Sequence, residues 1–190
     1  LGYGTVGSGV VKVIETNAKI IAKRAGQEVE VKYVLDLRDF PDDPIQSKVV
    51  HDFNVILEDP EVDIVVETMG GTKPAYEFVK KSLKAGKSVC TSNKELVAAY
   101  GAELVHIAKN KEVNFLFEAS VGGGIPIIRP LNQSLTADKI LKINGILNGT
   151  TNYILTKMAK EGSDFVEVLK EAQELGYAEK DTMPAVKLRF

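Results

Sequence analysis

The chain has 190 residues, a formal net charge of −2 at pH 7, 44% hydrophobic residues and 26% charged residues. This composition is typical of a globular protein. It supplies no basic surface for nucleic acid or anionic membranes, and no apolar run near the roughly 20 residues of a membrane span. The single cysteine, Cys90, excludes an internal disulfide and is typical of a reducing compartment. We therefore expect a cytoplasmic protein that binds a small molecule and has no nucleic-acid or membrane partner.

The chain opens on a glycine-rich segment, LGYGTVGSG, with the spacing G-x-G-x-x-G. In this pattern Gly2 permits a tight turn, Gly4 lets phosphate groups approach the backbone, and Gly7 lets the following helix pack closely. The positive end of that helix would hold a pyrophosphate. Glycine clusters also form ordinary turns, so the motif gains weight only from the elements that follow it. Because the segment begins inside what should be a first strand, we expect that strand to be truncated.

Strands and helices alternate after this segment. Apolar spacing predicts a helix over 6–25 that ends at Gly26, and β-branched residues predict a strand over 29–35, which a loop over 38–48 follows. Further predicted elements are strands over residues 63–67, 87–91 and 113–117 and helices over 75–85 and 95–109. At the last helix, Ser92 and Glu95 have the spacing of a capping box. Such short alternating units predict a Rossmann-type doubly wound parallel sheet of the α/β class.

The sequence changes character after Glu118. The remaining predicted elements are a glycine loop over 121–126 with Pro126 near a helix start, a strand over 139–147, a polar turn over 148–152, and helices over 154–161 and 165–175. We therefore predict a domain boundary near residue 120, with a dinucleotide-binding domain over 1–120. A new apolar segment begins as the chain ends, so we expect a fragment of a longer protein.

Asp36 and Arg38 follow the second predicted strand, where the adenosine ribose of a dinucleotide binds. An acidic residue there accepts hydrogen bonds from the ribose of NAD, although Asp36 lies further along the chain than the roughly 20 residues that are usual. Arg38 could instead bind the 2′-phosphate of NADP. The preference for NAD or NADP stays open, as does the alternative that both residues belong to a solvated loop.

Polar residues also follow the later predicted strands, at the sheet edge where ligands bind in open α/β folds. Thr68 and Gly70 follow one strand, and Ser92 and Lys94 follow the next. A lysine at a helix start opposes the helix dipole, which favours an anionic ligand near Lys94 over a surface role. Glu118, beside a glycine loop, could hold a hard cation, although a capping carboxylate is the alternative that physical reasoning alone favours.

Six segments, in this order and spacing, resemble homoserine dehydrogenase: LGYGTVGSGVV, VVETMGG, TSNKELV, EASVGGGIPII, NGILNGTTNYIL and ELGYAEKD. The resemblance covers essentially the whole chain, and the last three segments are far more specific than the glycine motif. It implies an NAD(P)-dependent oxidoreductase that interconverts L-aspartate 4-semialdehyde and L-homoserine, in threonine, methionine and isoleucine biosynthesis. It also implies a partial α+β domain for substrate binding and dimerisation over 121–190, incomplete in this chain, and we expect a homodimer or homotetramer.

The resemblance also assigns roles to individual residues. Cofactor-binding residues would be Gly2, Gly4, Thr5, Val6 and Gly7 at the pyrophosphate and Thr68, Gly70, Ser92 and Lys94 on the nicotinamide side. Asp36 and Arg38 join this set through their position after the second predicted strand, not through the resemblance. Substrate-binding residues would be Gly176, Tyr177 and Glu179. A sodium ion would be held by Glu118 and the carbonyls of Val121, Gly123 and Ile125. Lys187 matches an essential lysine of the family. We therefore expect two catalytic residues: Lys187, as the proton donor, and Lys94, which orients substrate or shares in proton transfer.

One departure from the family pattern precedes Lys187. Asp181-Thr182-Met183 runs directly into Pro184, so several residues of the pattern are absent, among them the substrate-binding aspartate. A mobile loop missing from the sequence explains this better than a deletion, because loops that close over substrate are often mobile.

Two alternative functions stay open. A chain that lacks these residues could bind NAD(P) without catalysis. Aspartate semialdehyde dehydrogenase is an alternative enzyme, but its chemistry needs an activated cysteine. Cys90 lies in an apolar predicted strand without a placed histidine, which argues against that enzyme.

Overall fold

A computed structural model describes residues 1–145 and 149–175, which form two compact units, one ending at Thr136 and the other beginning at Ala137. The helices are α1 (Thr5–Thr16), α2 (Ala18–Ala25), α3 (Phe53–Glu58), α4 (Ala75–Lys84), α5 (Lys94–Asn110), α6 (Ala119–Gly122), α7 (Ile128–Ser134), α8 (Gly149–Glu161) and α9 (Phe165–Glu174). The strands are β1 (Val34–Leu35), β2 (Val49–Val50), β3 (Ile64–Glu67), β4 (Ser88–Thr91) and β5 (Phe115–Leu116).

All strand pairs in the first unit are parallel. β1 pairs with β2, and β4 lies between β3 and β5. The first two residues join these sheets: the Gly2 N–H donates to the Leu35 carbonyl (2.8 Å), and the Thr68 N–H donates to the Leu1 carbonyl (3.0 Å). The spatial order is therefore β2, β1, Leu1–Gly2, β3, β4, β5, which is the strand order of the Rossmann fold. The predicted Rossmann-type α/β fold is confirmed.

Two clusters of buried apolar side chains stabilise this unit. The larger joins α3, α4 and α5 to the strands and includes Leu83, Leu96 and Leu104, all completely buried. The smaller joins Val11 of α1 to Val34 of β1. Burying one such side chain contributes about 1.5–3 kcal/mol. The second cluster fixes α1 against the strand that ends beside its N-terminus.

The single helix predicted over 6–25 is wrong, because the chain forms α1 and α2 with a break at Asn17. The Asn17 side-chain amide donates to the Val13 carbonyl (3.1 Å), and the residue leaves helical geometry with φ −106° and ψ 17°. Asparagine competes in this way for backbone groups inside a helix. The predicted stop at Gly26 is confirmed, since Gly26 has φ +78° and its N–H donates to the Ala22 carbonyl.

The predicted strand over 29–35 is too long, since only Val34 and Leu35 form β1. Residues 29–33 form no strand and pair with no other strand within the described part of the chain. The predicted strand over 139–147 is also wrong for 139–145, which contain no strand, and its end lies outside the described residues. A strand needs a pairing partner, which local patterning does not reveal.

The other predicted elements of the sheet region are confirmed, with ends that differ by at most two residues. The polar turn predicted over 148–152 is wrong for 149–152, because α8 already begins at Gly149, and its first residue lies outside the described residues. The helix start predicted near Pro126 agrees with α7, which begins at Ile128. The sequence analysis did not predict β2, α3 or α6. Of these, α3 begins with a recognisable signal, since the Asp52 carboxylate accepts a hydrogen bond from the Asn54 N–H (2.9 Å).

The second unit packs α8 against α9 around Ile154 and Val168, both about 1% exposed. Lys157 of α8 also pairs with Glu171 of α9 (2.6 Å). The domain boundary near residue 120 stays a prediction. Within the two described stretches, none of the helices has both the length and the apolar character that crossing a membrane requires.

Candidate functional site

Three loops and one helix N-terminus meet at the carboxyl edge of the sheet. The loops follow β1, β3 and β4, and the helix is α1, which begins after the glycine segment. Ligands bind at this edge in open α/β folds because backbone groups and loop side chains converge there. The strand order thus brings together residues that the sequence analysis selected separately.

The glycine segment makes a turn that side chains would obstruct. Gly2 has φ +88°, a conformation that favours glycine. A Cβ atom on Gly7 would lie 2.1 Å from the Gly2 carbonyl oxygen, whereas a Cβ on Gly4 would meet no atom within 4 Å. The structural roles predicted for Gly2 and Gly7 are confirmed, and Gly4 borders open space where a phosphate group fits. Its contact with a pyrophosphate stays a prediction.

The N-terminus of α1 has the properties of an anion site. Gly4 is the N-cap and contributes no side-chain hydrogen bond to the first turn, which contains no acidic residue. The N–H groups of Thr5, Val6 and Gly7 therefore have no intrahelical acceptor, and they carry the positive end of the helix dipole. This arrangement fits a dinucleotide pyrophosphate.

Thr68 supports the glycine segment. Its hydroxyl lies 3.1 Å from both the Leu1 and the Gly2 carbonyl oxygens, and its N–H donates to the Leu1 carbonyl. The side chain therefore bonds the backbone of the segment, and its predicted role beside a nicotinamide stays a prediction.

Asp36 and Arg38 form a bidentate ion pair. Arg38 Nε donates to Asp36 Oδ1 (3.0 Å) and Arg38 Nη2 donates to Asp36 Oδ2 (3.1 Å). The Tyr3 N–H also donates to Asp36 Oδ2 (2.8 Å), which ties the end of β1 to the glycine segment. The Arg38 guanidinium holds the pKa of Asp36 well below its usual range, with support from the Tyr3 N–H and against the effect of burial. Asp36 is therefore a carboxylate at neutral pH.

His51 lies against the same loop. Its Nδ1 is 2.7 Å from the Asp36 carbonyl oxygen and its Nε2 is 3.2 Å from Asp39 Oδ1. The bond to the Asp36 backbone and the Asp39 charge raise the pKa of His51 above 6.5. Protonated His51 donates both bonds, so the imidazolium stabilises the loop that carries Arg38.

This geometry predicts a pH dependence of stability. The contribution of His51 is complete below its unfolded pKa of about 6.5 and is lost as the pH rises through its higher folded pKa. An NMR titration of the His51 ring is expected to give a pKa above the free value, and Asp39→Asn is expected to lower it. The stability difference from His51→Gln is expected to shrink as the pH rises. A pKa at or below the free value would contradict the prediction.

A buried polar network joins the ends of β3 and β4. Glu67, Thr91 and Asn93 are 0%, 2% and 6% exposed. Thr91 Oγ1 donates to Glu67 Oε2 (2.5 Å) and accepts from the Asn93 N–H (3.0 Å). Burial raises the pKa of Glu67. The hydrogen bonds from Thr91, Asn93 and the Met69 N–H lower it and offset part of this effect.

The predicted capping box of Ser92 and Glu95 is wrong. Asn93 caps α5 instead, since its Oδ1 accepts from the Leu96 N–H (3.0 Å). Lys94 is the exposed first residue of this helix, and Ser92 is half-buried in the loop before it. Both residues therefore lie at the site edge, and their contact with a nicotinamide stays a prediction.

The Glu118 carboxylate binds the start of α7. Its Oε1 accepts from the N–H groups of Ile127 and Ile128 (the latter 2.7 Å), and its Oε2 accepts from the Arg129 N–H (2.8 Å). These bonds hold the pKa of Glu118 below its usual range. The side chain acts as a helix cap in this arrangement. The sodium site, which adds the carbonyls of Val121, Gly123 and Ile125, stays a prediction.

Cys90 lies in β4, half-buried and free of disulfide bonding. Burial raises the pKa of its thiol, which lowers the fraction of nucleophilic thiolate at neutral pH. Among the described residues, no group of three or more His, Cys, Asp or Glu side chains converges into a metal site.

Four predicted site residues lie outside the described residues: Gly176, Tyr177, Glu179 and Lys187. Sequence reasoning missed Tyr3, Glu67 and Asn93. Glu67 carried a signal, because it is an acidic residue at the end of the strand predicted over 63–67, after three apolar residues.

Two family models match the chain. One described as "Homoserine dehydrogenase, NAD binding domain" matches residues 2–118, and one described as "Homoserine dehydrogenase" matches residues 126–186. A homoserine dehydrogenase from Bacillus subtilis is 46% identical over 188 residues, which cover 95% of this chain and 42% of that protein.

Solved structures agree with these matches. A homoserine dehydrogenase from Thiobacillus denitrificans superimposes with a TM-score of 0.86 at 45% identity, covering 95% of this chain and 42% of that one. A hyperthermophilic archaeal homoserine dehydrogenase mutant in complex with NADPH gives 0.78 at 30% identity, covering 95% and 61%. The chain therefore spans less than half the length of its bacterial relatives.

Proposed function

The chain belongs to the homoserine dehydrogenase family, and from that premise we propose that the protein interconverts L-aspartate 4-semialdehyde and L-homoserine with NAD(P). The observation that carries this proposal is the meeting of the glycine segment with the carboxyl ends of β1, β3 and β4 at one sheet edge. The open space beside Gly4 and the N-terminus of α1, which has no side-chain cap, fit the pyrophosphate of such a cofactor.

Different residues at this edge would bind the cofactor and orient the substrate. The first turn of α1 would bind the pyrophosphate, and the loops after β3 and β4 would flank the nicotinamide. When bound, the cofactor supplies the hydride for the aldehyde carbon. Lys187 would donate a proton to the resulting alkoxide oxygen and recover it from the hydroxyl in the reverse direction. Lys94 would orient the substrate or share in that transfer.

The ion pair at the end of β1 supports a contribution of Arg38 to NADP binding. Arg38 is 62% exposed, and it neutralises the Asp36 carboxylate, which would otherwise repel a 2′-phosphate. Arg38→Ala is expected to weaken NADPH binding about tenfold or more and to leave NADH binding unchanged or tighter. Asp36→Asn is expected to shift the preference towards NADPH. Calorimetry with both nucleotides would measure both shifts. An equal loss for both nucleotides after Arg38→Ala would contradict a role at the 2′-phosphate.

Three further features belong to the proposal. A sodium ion near Glu118 would be held through the neighbouring carbonyls. A homodimer or homotetramer is part of the same proposal and rests on the family resemblance. A cytoplasmic location is supported by the lone cysteine.

The direct test of this function is nucleotide oxidation by the intact protein. With aspartate semialdehyde and NADPH or NADH, the nicotinamide absorbance is expected to fall and homoserine to accumulate. Nucleotide binding by calorimetry without any absorbance change would instead identify a protein that binds the cofactor without catalysis. Loss of activity on alkylation of Cys90 would favour the alternative semialdehyde dehydrogenase.

A further inference from the structure

The buried carboxylate of Glu67 lies beneath the loops that the proposed function places beside the nicotinamide. Glu67 ends β3 directly opposite Thr91, which ends β4. Both of its oxygens are used: Oε2 accepts from the Thr91 hydroxyl (2.5 Å), and Oε1 accepts from the Met69 N–H (2.8 Å). The carboxylate therefore bonds the next strand and the loop that follows its own strand.

Asn93 completes the connection between the two loops. Its Nδ2 lies 2.6 Å from the Gly71 carbonyl oxygen, to which it donates, and 3.4 Å from Glu67 Oε1. Its Oδ1 caps α5 through the Leu96 N–H. One buried network thus fixes the loop at 69–71 and the segment from Thr91 to the start of α5.

The position of this network indicates more than fold stability. A buried carboxylate is costly to desolvate, and an apolar pair would join two strands at lower cost. Here the hydrogen bonds beyond the strand pair connect to the backbone at Met69 and Gly71, to Asn93 and to the first turn of α5. The glycine segment has hydrogen bonds of its own, from the Thr68 hydroxyl to the Leu1 and Gly2 carbonyls and from the Tyr3 N–H to Asp36.

We propose that Glu67 is a positioning residue whose carboxylate, through Thr91 and Asn93, sets the geometry of the two loops that flank the nicotinamide. This inference rests on the proposed cofactor site. It assigns Glu67 no contact with the substrate or the cofactor. It predicts that breaking the network weakens recognition of the nicotinamide half of the cofactor and leaves the adenosine half unaffected.

The test compares ligands that contain and lack the nicotinamide. In the intact protein, Glu67→Gln is expected to weaken binding of NADPH at least tenfold while binding of 2′-phospho-ADP-ribose stays the same; NADH and ADP-ribose form a second pair. Thr91→Val is expected to reproduce this loss, and Thr91→Ser, which keeps the hydroxyl, is expected to restore binding. Ser82→Ala is the matched control, because Ser82 is also 0% exposed but its hydroxyl donates to the Phe78 carbonyl within α4.

Several outcomes would overturn the inference. Equal loss of both ligands would show a general structural role, and unchanged NADPH binding would show no role at the nicotinamide. If Glu67→Gln fails to fold, the variants Thr91→Val and Thr91→Ser are tested with the same two ligands, and their binding decides the question. Failure of the proposed function gives a different result, because the unmodified protein would then show no binding of either ligand or no turnover of homoserine.

Discussion

Gly7→Ala is expected to abolish nucleotide binding and to destabilise the protein. The added Cβ would lie 2.1 Å from the Gly2 carbonyl oxygen and 3.0 Å from Thr68 Oγ1. The nearer atom belongs to the backbone, which cannot move out of the way by rotating as a flexible side chain can. Either α1 or the glycine segment must move, at a cost of about 1–3 kcal/mol or more. A displacement of about 1 Å at a binding cradle lowers activity on the order of 100-fold. Calorimetry with NADPH and a thermal unfolding curve would measure both effects.

Two neighbouring glycines supply matched controls. Gly4 has φ −87° and open space around its Cβ position, so Gly4→Ala is expected to fold normally and still weaken nucleotide binding. Gly9 lies inside α1, also with open space, so Gly9→Ala is expected to bind normally and to gain about 0.5–1 kcal/mol. Normal binding by Gly4→Ala would show that no phosphate group lies over Gly4. Normal binding by Gly7→Ala would contradict the packing argument.

Lys187→Ala is expected to lower kcat about 10²–10⁴-fold with little change in nucleotide affinity. Reduction of an aldehyde leaves an alkoxide that needs a proton, and Lys187, which matches an essential lysine of the family, is the proposed donor. Steady-state kinetics with homoserine, together with calorimetry, would separate the two effects.

An exposed lysine of α9, Lys170, offers a control of the same charge. Lys170→Ala is expected to leave kcat unchanged. Unaltered turnover in Lys187→Ala would remove that residue from the proposed mechanism. Loss of nucleotide binding in the same variant would assign it to the cofactor site instead.

Local patterning was sufficient to predict most of the alternating elements. The helical spacing that ends at Gly26 and the β-branched run before Glu67 are signals carried by adjacent residues. The length of β1 was not predictable in this way, because residues 29–33 could form a strand only with a neighbouring strand. The break at Asn17 depends on one side chain that competes with the helix backbone.

The contacts that build the site depend on the order of strands in space. Tyr3 and Asp36 are separated by 33 residues, and Glu67 and Thr91 by 24. No periodicity within either segment encodes such a pairing. The spacing of the glycines was sufficient to predict a phosphate-binding segment, because the turn it forms depends only on residues that are close in the sequence. The role of Glu118 as a cap could be stated only as one alternative, because its partners in α7 follow an irregular loop.

The most direct test of the proposed function follows the hydride itself. The intact protein would be incubated with aspartate semialdehyde and NADPH deuterated at carbon 4 of the nicotinamide, using each of the two stereoisomers. Direct transfer predicts homoserine that carries one deuterium at carbon 4 with one isomer and none with the other, as mass spectrometry and NMR would show. Unlabelled homoserine with both isomers, or no homoserine at all, would contradict the account.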